Sequence, residues 1–174
     1  MKLKYPDCDF HGYATKANLT CRDKRVIMPD AFKDQDGEKV PLCWGHQHNS
    51  VTSVLGHAYL ENRADGVYAY GYFNDTDSGR AGKKLVDNGD VCALSIWAND
   101  LVQNGTNVVH GVIRELSLVL AGANPGAYID SVMQHDDEAT QEAEILFVLD
   151  KDNIQLAHAD SEEDSEDAGT ASAH

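Results

Sequence analysis

Residues 108–120, Val-Val-His-Gly-Val-Ile-Arg-Glu-Leu-Ser-Leu-Val-Leu, form the longest apolar stretch of the chain. β-Branched side chains crowd it. Such side chains lose rotamer freedom in a helix but pack well on a pleated surface. One long or bent strand is therefore expected. The strand carries Glu115 inside its apolar run, where a carboxylate is expensive unless it is paired. The fold must bring that carboxylate a partner. A histidine would serve, and would in turn be held in one tautomer. A salt bridge to Arg114 or Arg63 is the plainer option. His110 and Glu115 are an odd number of residues apart, so an unbroken strand points only one of them into any given site.

The remaining elements follow from pattern. Strands are expected at residues 10–15, 40–44, 54–60, 67–73 and 91–98, with a short element at 129–133. The polar turn 62–66 ends in Asp65-Gly66 and makes a hairpin of the strands around it. Residues 18–26 are turn-prone, and Asp36-Gly37-Glu38 is a further turn. Ala81, Leu85 and Val86 recur at helical spacing, with Thr76 or Asp77 as cap and Gly89 as stop. A short helical turn opened by Asp30 is expected at 30–33. Residues 121–126 break the long strand. Residues 145–149 and 154–156 read as a terminal hairpin. Many strands and one or two helices make the fold class mainly β with peripheral helices, a closed or partly open β-barrel.

The chain has 174 residues, 42% of them hydrophobic, and a formal net charge of -15. Much of that charge lies in Asp160–Asp167, DSEEDSED, which has nothing apolar to bury and is read as a disordered tail. The expected divisions are a catalytic domain at 1–135, terminal strands or an extension at 136–158, and the acidic tail at 159–174. Phosphate contacts need Lys and Arg, which are few and dispersed here, so no nucleic-acid partner is expected. No apolar run is long enough to span a bilayer, so no membrane partner is expected. The start of the chain shows no signal-peptide core, so a location inside the cell that makes it is expected. Cys8, Cys21, Cys43 and Cys92 form no CxxC pair and read as free thiols.

Three groups carry chemistry. His46 and His48 lie in the turn Trp44-Gly45-His46-Gln47-His48, Ser95 lies in Leu94-Ser95-Ile96-Trp97, and Glu115 lies in the long strand. An imidazole can take a proton from a hydroxyl, and a carboxylate can orient the imidazolium. No GxSxG elbow surrounds Ser95, which excludes the α/β-hydrolase arrangement. Taken alone, a strand serine is structural. Its rigid flanks are what raise it, because a strand holds a hydroxyl in attack geometry better than a loop does.

The stretches Gly12–Thr15, Val40–His46, Val54–Ala58, Asp65–Ala69, Ala93–Ile96, Arg114–Val119 and Ala123–Ala127, in this order and spacing, cover most of residues 10–133. In them the chain resembles the prohead maturation serine proteases of tailed bacteriophages, the caudoviral family related in fold to the herpesvirus assembly protease. The resemblance implies Ser95 as nucleophile, His46 as general base and Glu115 as orienting acid. His48 is the rival base, because the chain has His-Gln-His where many members have one histidine before an aspartate. His110 is the rival third member, because the herpesvirus relatives use histidine there. Those relatives act as dimers, so a homo-oligomer is an open expectation. The resemblance also implies acyl-enzyme cleavage of capsid precursor and scaffold segments, in the cytoplasm of a bacterial host within assembling proheads. No cofactor or metal is required. Backbone amides near Gly89, Gly111 and Gly122 are the candidate oxyanion donors.

Two alternatives from other classes stand beside this. His46, His48 and His57 could bind zinc or iron in a barrel. Cupin barrels add a glutamate a few residues after such a pair, and Asn49–Ser53 supplies none. A non-enzymatic capsid scaffold or assembly module is the other.

Overall fold

A computed structural model describes residues 3–133. The expected terminal hairpin and the acidic tail lie outside the described residues, as do the extension and tail divisions.

Eight strands and one α-helix are seen among the described residues: β1 (Phe10–Lys16), β2 (Val26–Ile27), β3 (Lys39–Trp44), β4 (Val54–Arg63), β5 (Gly66–Phe73), α1 (Asp77–Asp87), β6 (Ala93–Asn104), β7 (Asn107–Val119) and β8 (Ile129–Val132). The sheet order is β2-β7-β3-β4-β5-β1-β8, with β6 paired to β7. β4 and β5 form the expected hairpin, closing through Ala64 and Asp65 onto the Arg63–Gly66 pair. α1 begins at a Thr76 cap whose Oγ1 accepts from Gly79 N at 3.1 Å, and it ends before Gly89 at φ +75°.

The fold is mainly β and the barrel is partly open. At one end the seam is stitched. Leu94 N donates to Ala127 O at 3.0 Å, and Ile129 N donates to Cys92 O at 2.8 Å. Beyond that point β6 pairs only with β7 among the described strands. β7 has its own gap, since its far edge pairs with β2 at Asn107–Val108 and with β3 only from Leu116. The buried Gln35 amide fills it. Gln35 Oε1 accepts from Ile113 N at 2.6 Å, and Gln35 Nε2 donates to Ile113 O at 3.0 Å. A side-chain amide thereby replaces a missing strand residue and pairs both backbone groups of buried Ile113.

The main core gathers Phe10, Phe32, Leu42, Leu60, Leu94, Ile113, Leu116 and Leu118. A smaller aromatic cluster around Cys8, Tyr68 and Tyr70 covers the other side of β1 and β5.

Two expectations are corrected. The helical turn near Asp30 is a single 3₁₀ turn at Lys33–Gln35, preceded by Phe32 with no side-chain cap. Asp30 itself has φ +61°, and its carboxylate accepts from Asn62 Nδ2 at 2.7 Å instead. The strand expected at 91–98 runs on to Asn104. Its distal half is a polar arm with register irregularities against β7.

Candidate active site

Three strand ends meet on one side of the barrel. β3 runs parallel to β7, with Leu42, Cys43 and Trp44 beside Leu116, Ser117 and Leu118. β6 runs antiparallel to β7 on the other edge, with Ser95 opposite Ser117 and Trp97 opposite Glu115. Residues two apart share a strand face. Ser95 and Trp97 on β6 therefore stand beside Glu115 and Ser117 on β7.

Beyond β3 the chain turns sharply. Gly45 and His46 both have φ of +58°. This is the left-handed region, open to glycine but costing an L-residue roughly 1–2 kcal/mol. β7 enforces it. Gly45 N donates to Leu118 O at 3.0 Å, and His46 N donates to Ser117 Oγ at 3.0 Å. The turn swings the His46 ring over the β6–β7 pair.

His46 Nε2 then lies 2.9 Å from Ser95 Oγ, and His46 Nδ1 is hydrogen-bonded to Glu115 Oε1. His48 Nε2 lies 3.0 Å from the other carboxylate oxygen, Oε2. Ser117 Oγ donates to Oε1 at 2.9 Å, and the Cys43 thiol also donates to the carboxylate. Glu115 is only 4% exposed. Burial by itself would raise its carboxyl, but hydrogen bonds from His46, Cys43 and Ser117 outweigh it and hold the group at about 2. Glu115 is thus ionised and accepts only. His46 Nδ1 must carry the hydrogen in that bond, which leaves Nε2 of the neutral ring free to accept from Ser95. Burial, with the neighbouring Glu115 charge, pushes the Cys43 thiol up to about 12. It stays protonated, as a donor to Glu115 rather than a nucleophile.

The structure thus brings His46, Ser95 and Glu115 together, with His48 joining on the side of Glu115 away from the hydroxyl. It does not bring His110 to them. Five residues along a strand is roughly 16 Å, and His110 sits half-exposed with Asp34 Oδ2 at 3.9 Å. Glu115 rather than His110 meets His46 because its side of β7 faces the turn. Nor does His57 join His46 and His48, since it stacks on Tyr72 at 5.1 Å on β5. Among the described residues no group of three ligands could hold a metal ion. Arg114 pairs with Asn99 and Asp100, and Arg63 with Glu61, so neither is the partner of Glu115.

Sequence reasoning missed Cys43 and Ser117 as supports of Glu115. It also missed Asn124, whose Nδ2 donates to Thr15 Oγ1 at 3.0 Å and Lys16 O at 2.8 Å. This ties the 121–126 loop to β1, across a cavity of about 80 Å³ that Ser95 and Ile96 also line. Gly122 in that loop lies against Leu94; a methyl group there would come within 2.6 Å of its carbonyl oxygen.

A hydroxyl, an imidazole and an ionised carboxylate linked in series on a partly open β-barrel make the arrangement of a serine peptidase. The sequence matches the caudovirus prohead serine protease family over residues 3–142, and the chain belongs to that family. No curated protein matches the chain. Two solved chains match its structure. One is KSHV protease, a herpesvirus enzyme, in complex with a hexapeptide phosphonate inhibitor, at a TM-score of 0.51 and 14% identity. That likeness covers 69% of this chain and 62% of the herpesvirus chain, and it is one of fold.

Proposed function

We propose that this chain is a serine endopeptidase that cleaves capsid precursor and scaffold segments during phage head maturation, through an acyl-enzyme. The observation that carries the reading is the Ser95–His46–Glu115 series, with His46 Nε2 2.9 Å from Ser95 Oγ. Ser95 is the nucleophile, His46 the general base and Glu115 the group that fixes the His46 tautomer and stabilises its imidazolium. As Oγ attacks a peptide carbonyl, its proton passes to Nε2. The same proton goes to the leaving amine when the C–N bond breaks, leaving the acyl group on Ser95. Water then attacks with His46 as base, releasing the acid and restoring the hydroxyl.

The oxyanion needs backbone donors. Gly89 N and Gly111 N are already bonded to Val86 O and Ala31 O. That leaves the 121–126 loop, with Gly122 beside Leu94, as the favoured of the three positions. The edge of β6 beyond Leu94, unpaired among the described strands, suits an extended substrate segment added as a further strand. The dispersal of His57 speaks against the three-histidine metal alternative.

The test is mass spectrometry of coat protein coexpressed with the wild-type chain or with Ser95→Ala. Processed coat protein in the first and full-length precursor in the second is expected. Equal processing in both would overturn the reading. Precursor that stays intact in both while heads still assemble would favour the scaffold role.

A further inference from the structure

His48 has no part in the relay just described, yet it is the second imidazole on the same carboxylate. Glu115 presents two oxygens. Oε1 receives His46 and Ser117, and Oε2 receives His48 Nε2 at 3.0 Å. The His48 ring also leans on Trp97, with centroids 4.9 Å apart and a 57° tilt. Trp97 sits opposite Glu115 on the neighbouring strand. His48 is therefore braced from β6 and bonded to β7, although its own backbone belongs to the loop after β3.

We propose that His48 is a positioning residue that fixes the plane of the Glu115 carboxylate. The inference rests on the assignment of Ser95, His46 and Glu115 above. Since the ionised carboxylate only accepts, His48 Nε2 carries the hydrogen. With Oε1 held by His46 and Ser117 and Oε2 held by His48, both carboxylate oxygens are fixed, and Glu115 is kept in the plane that meets the His46 ring.

The probe is diisopropyl fluorophosphate, which phosphorylates an activated serine with release of fluoride and needs no substrate pocket. Its rate of reaction with the full chain is measured at one fixed pH for wild type, His48→Ala and His48→Gln, with Ser95→Ala as the blank. In His48→Ala the rate is expected to fall roughly tenfold, because the carboxylate loses a donor that orients it and a small misplacement of the base is costly in rate. His48→Gln keeps a donor, so its rate should return towards wild type. Circular dichroism and melting temperature establish that the variants are folded; if His48→Ala is not, His48→Phe, which keeps a ring against Trp97 without the donor, takes its place. An unchanged rate in His48→Ala overturns the proposal. Equal loss in His48→Ala and His48→Gln overturns the hydrogen-bond role and leaves only packing. A wild-type chain that does not react defeats the Ser95 assignment beneath, which separates the two failures.

Discussion

Glu115 concentrates the energetics of the site on one residue. A buried carboxylate is tolerated only because four side chains donate to it. Its folded-state carboxyl lies at about 2, against an ordinary 4.5. A depressed acid stabilises the fold above its ordinary value, and that contribution disappears as pH falls from 4.5 towards 2. At roughly 1.4 kcal/mol per pH unit, the difference corresponds to roughly 3 kcal/mol. Urea melts of the wild type should weaken across this window. Glu115→Gln should be less stable than wild type at pH 7 yet show a shallower decline below pH 4.5. Parallel slopes for the two proteins would mean that other acids carry the effect. Glu115 was legible in the sequence because an unpaired charge in an apolar strand demands an explanation. Cys43 and Ser117 were not, since a thiol or hydroxyl fits a strand without one. Which of His46 and His48 meets Ser95 was not legible either, because it depends on the turn geometry.

At the scale of elements, legibility follows how local the cause is. The α1 cap, the 62–66 hairpin and β7 each depend on neighbours in sequence, and each is where the pattern puts it. The Asp30 turn misleads because Asn62, distant in the chain, claims the carboxylate that would have capped it. The far half of β6 escapes because Asn99, Asp100, Gln103 and Asn104 look like loop, and only pairing with β7 makes them a strand. The decisive element for the site is the Gly45–His46 turn, where two consecutive left-handed residues follow a strand. No Cβ at Gly45 would strike a neighbouring atom, so strain there is purely conformational. Gly45→Ala should therefore cost about 1 kcal/mol, read from the shift in urea midpoint. It should also slow phosphorylation of Ser95 by tenfold or more, since small displacements of a base are costly in rate. A loss of stability with an unchanged reaction rate would mean that the turn does not set the His46 position.

At the scale of the whole molecule, the site is a product of closure. His46 and Ser95 are 49 residues apart in sequence, and His46 and Glu115 are 69 apart. β7 links them by pairing with β3 on one edge and β6 on the other. How far such a barrel closes depends on registers between distant strands, and for that reason the sequence left closed and open forms level. Every group in the series lies among the described residues 3–133, and the family match ends at 142. The acidic run at 160–167 lies beyond both. A chain ended at residue 142 should consequently react with diisopropyl fluorophosphate within about twofold of the full-length rate, the range of effects expected for changes remote from a reacting group. It should also lose that reactivity at the same urea concentration at which its near-UV circular dichroism collapses, as a single cooperative unit requires. Reactivity lost on truncation would assign part of the site to residues 143–174. Reactivity lost well before the circular dichroism would mean that the His46 turn melts on its own, and β7 would then not be the clamp that holds the three groups together.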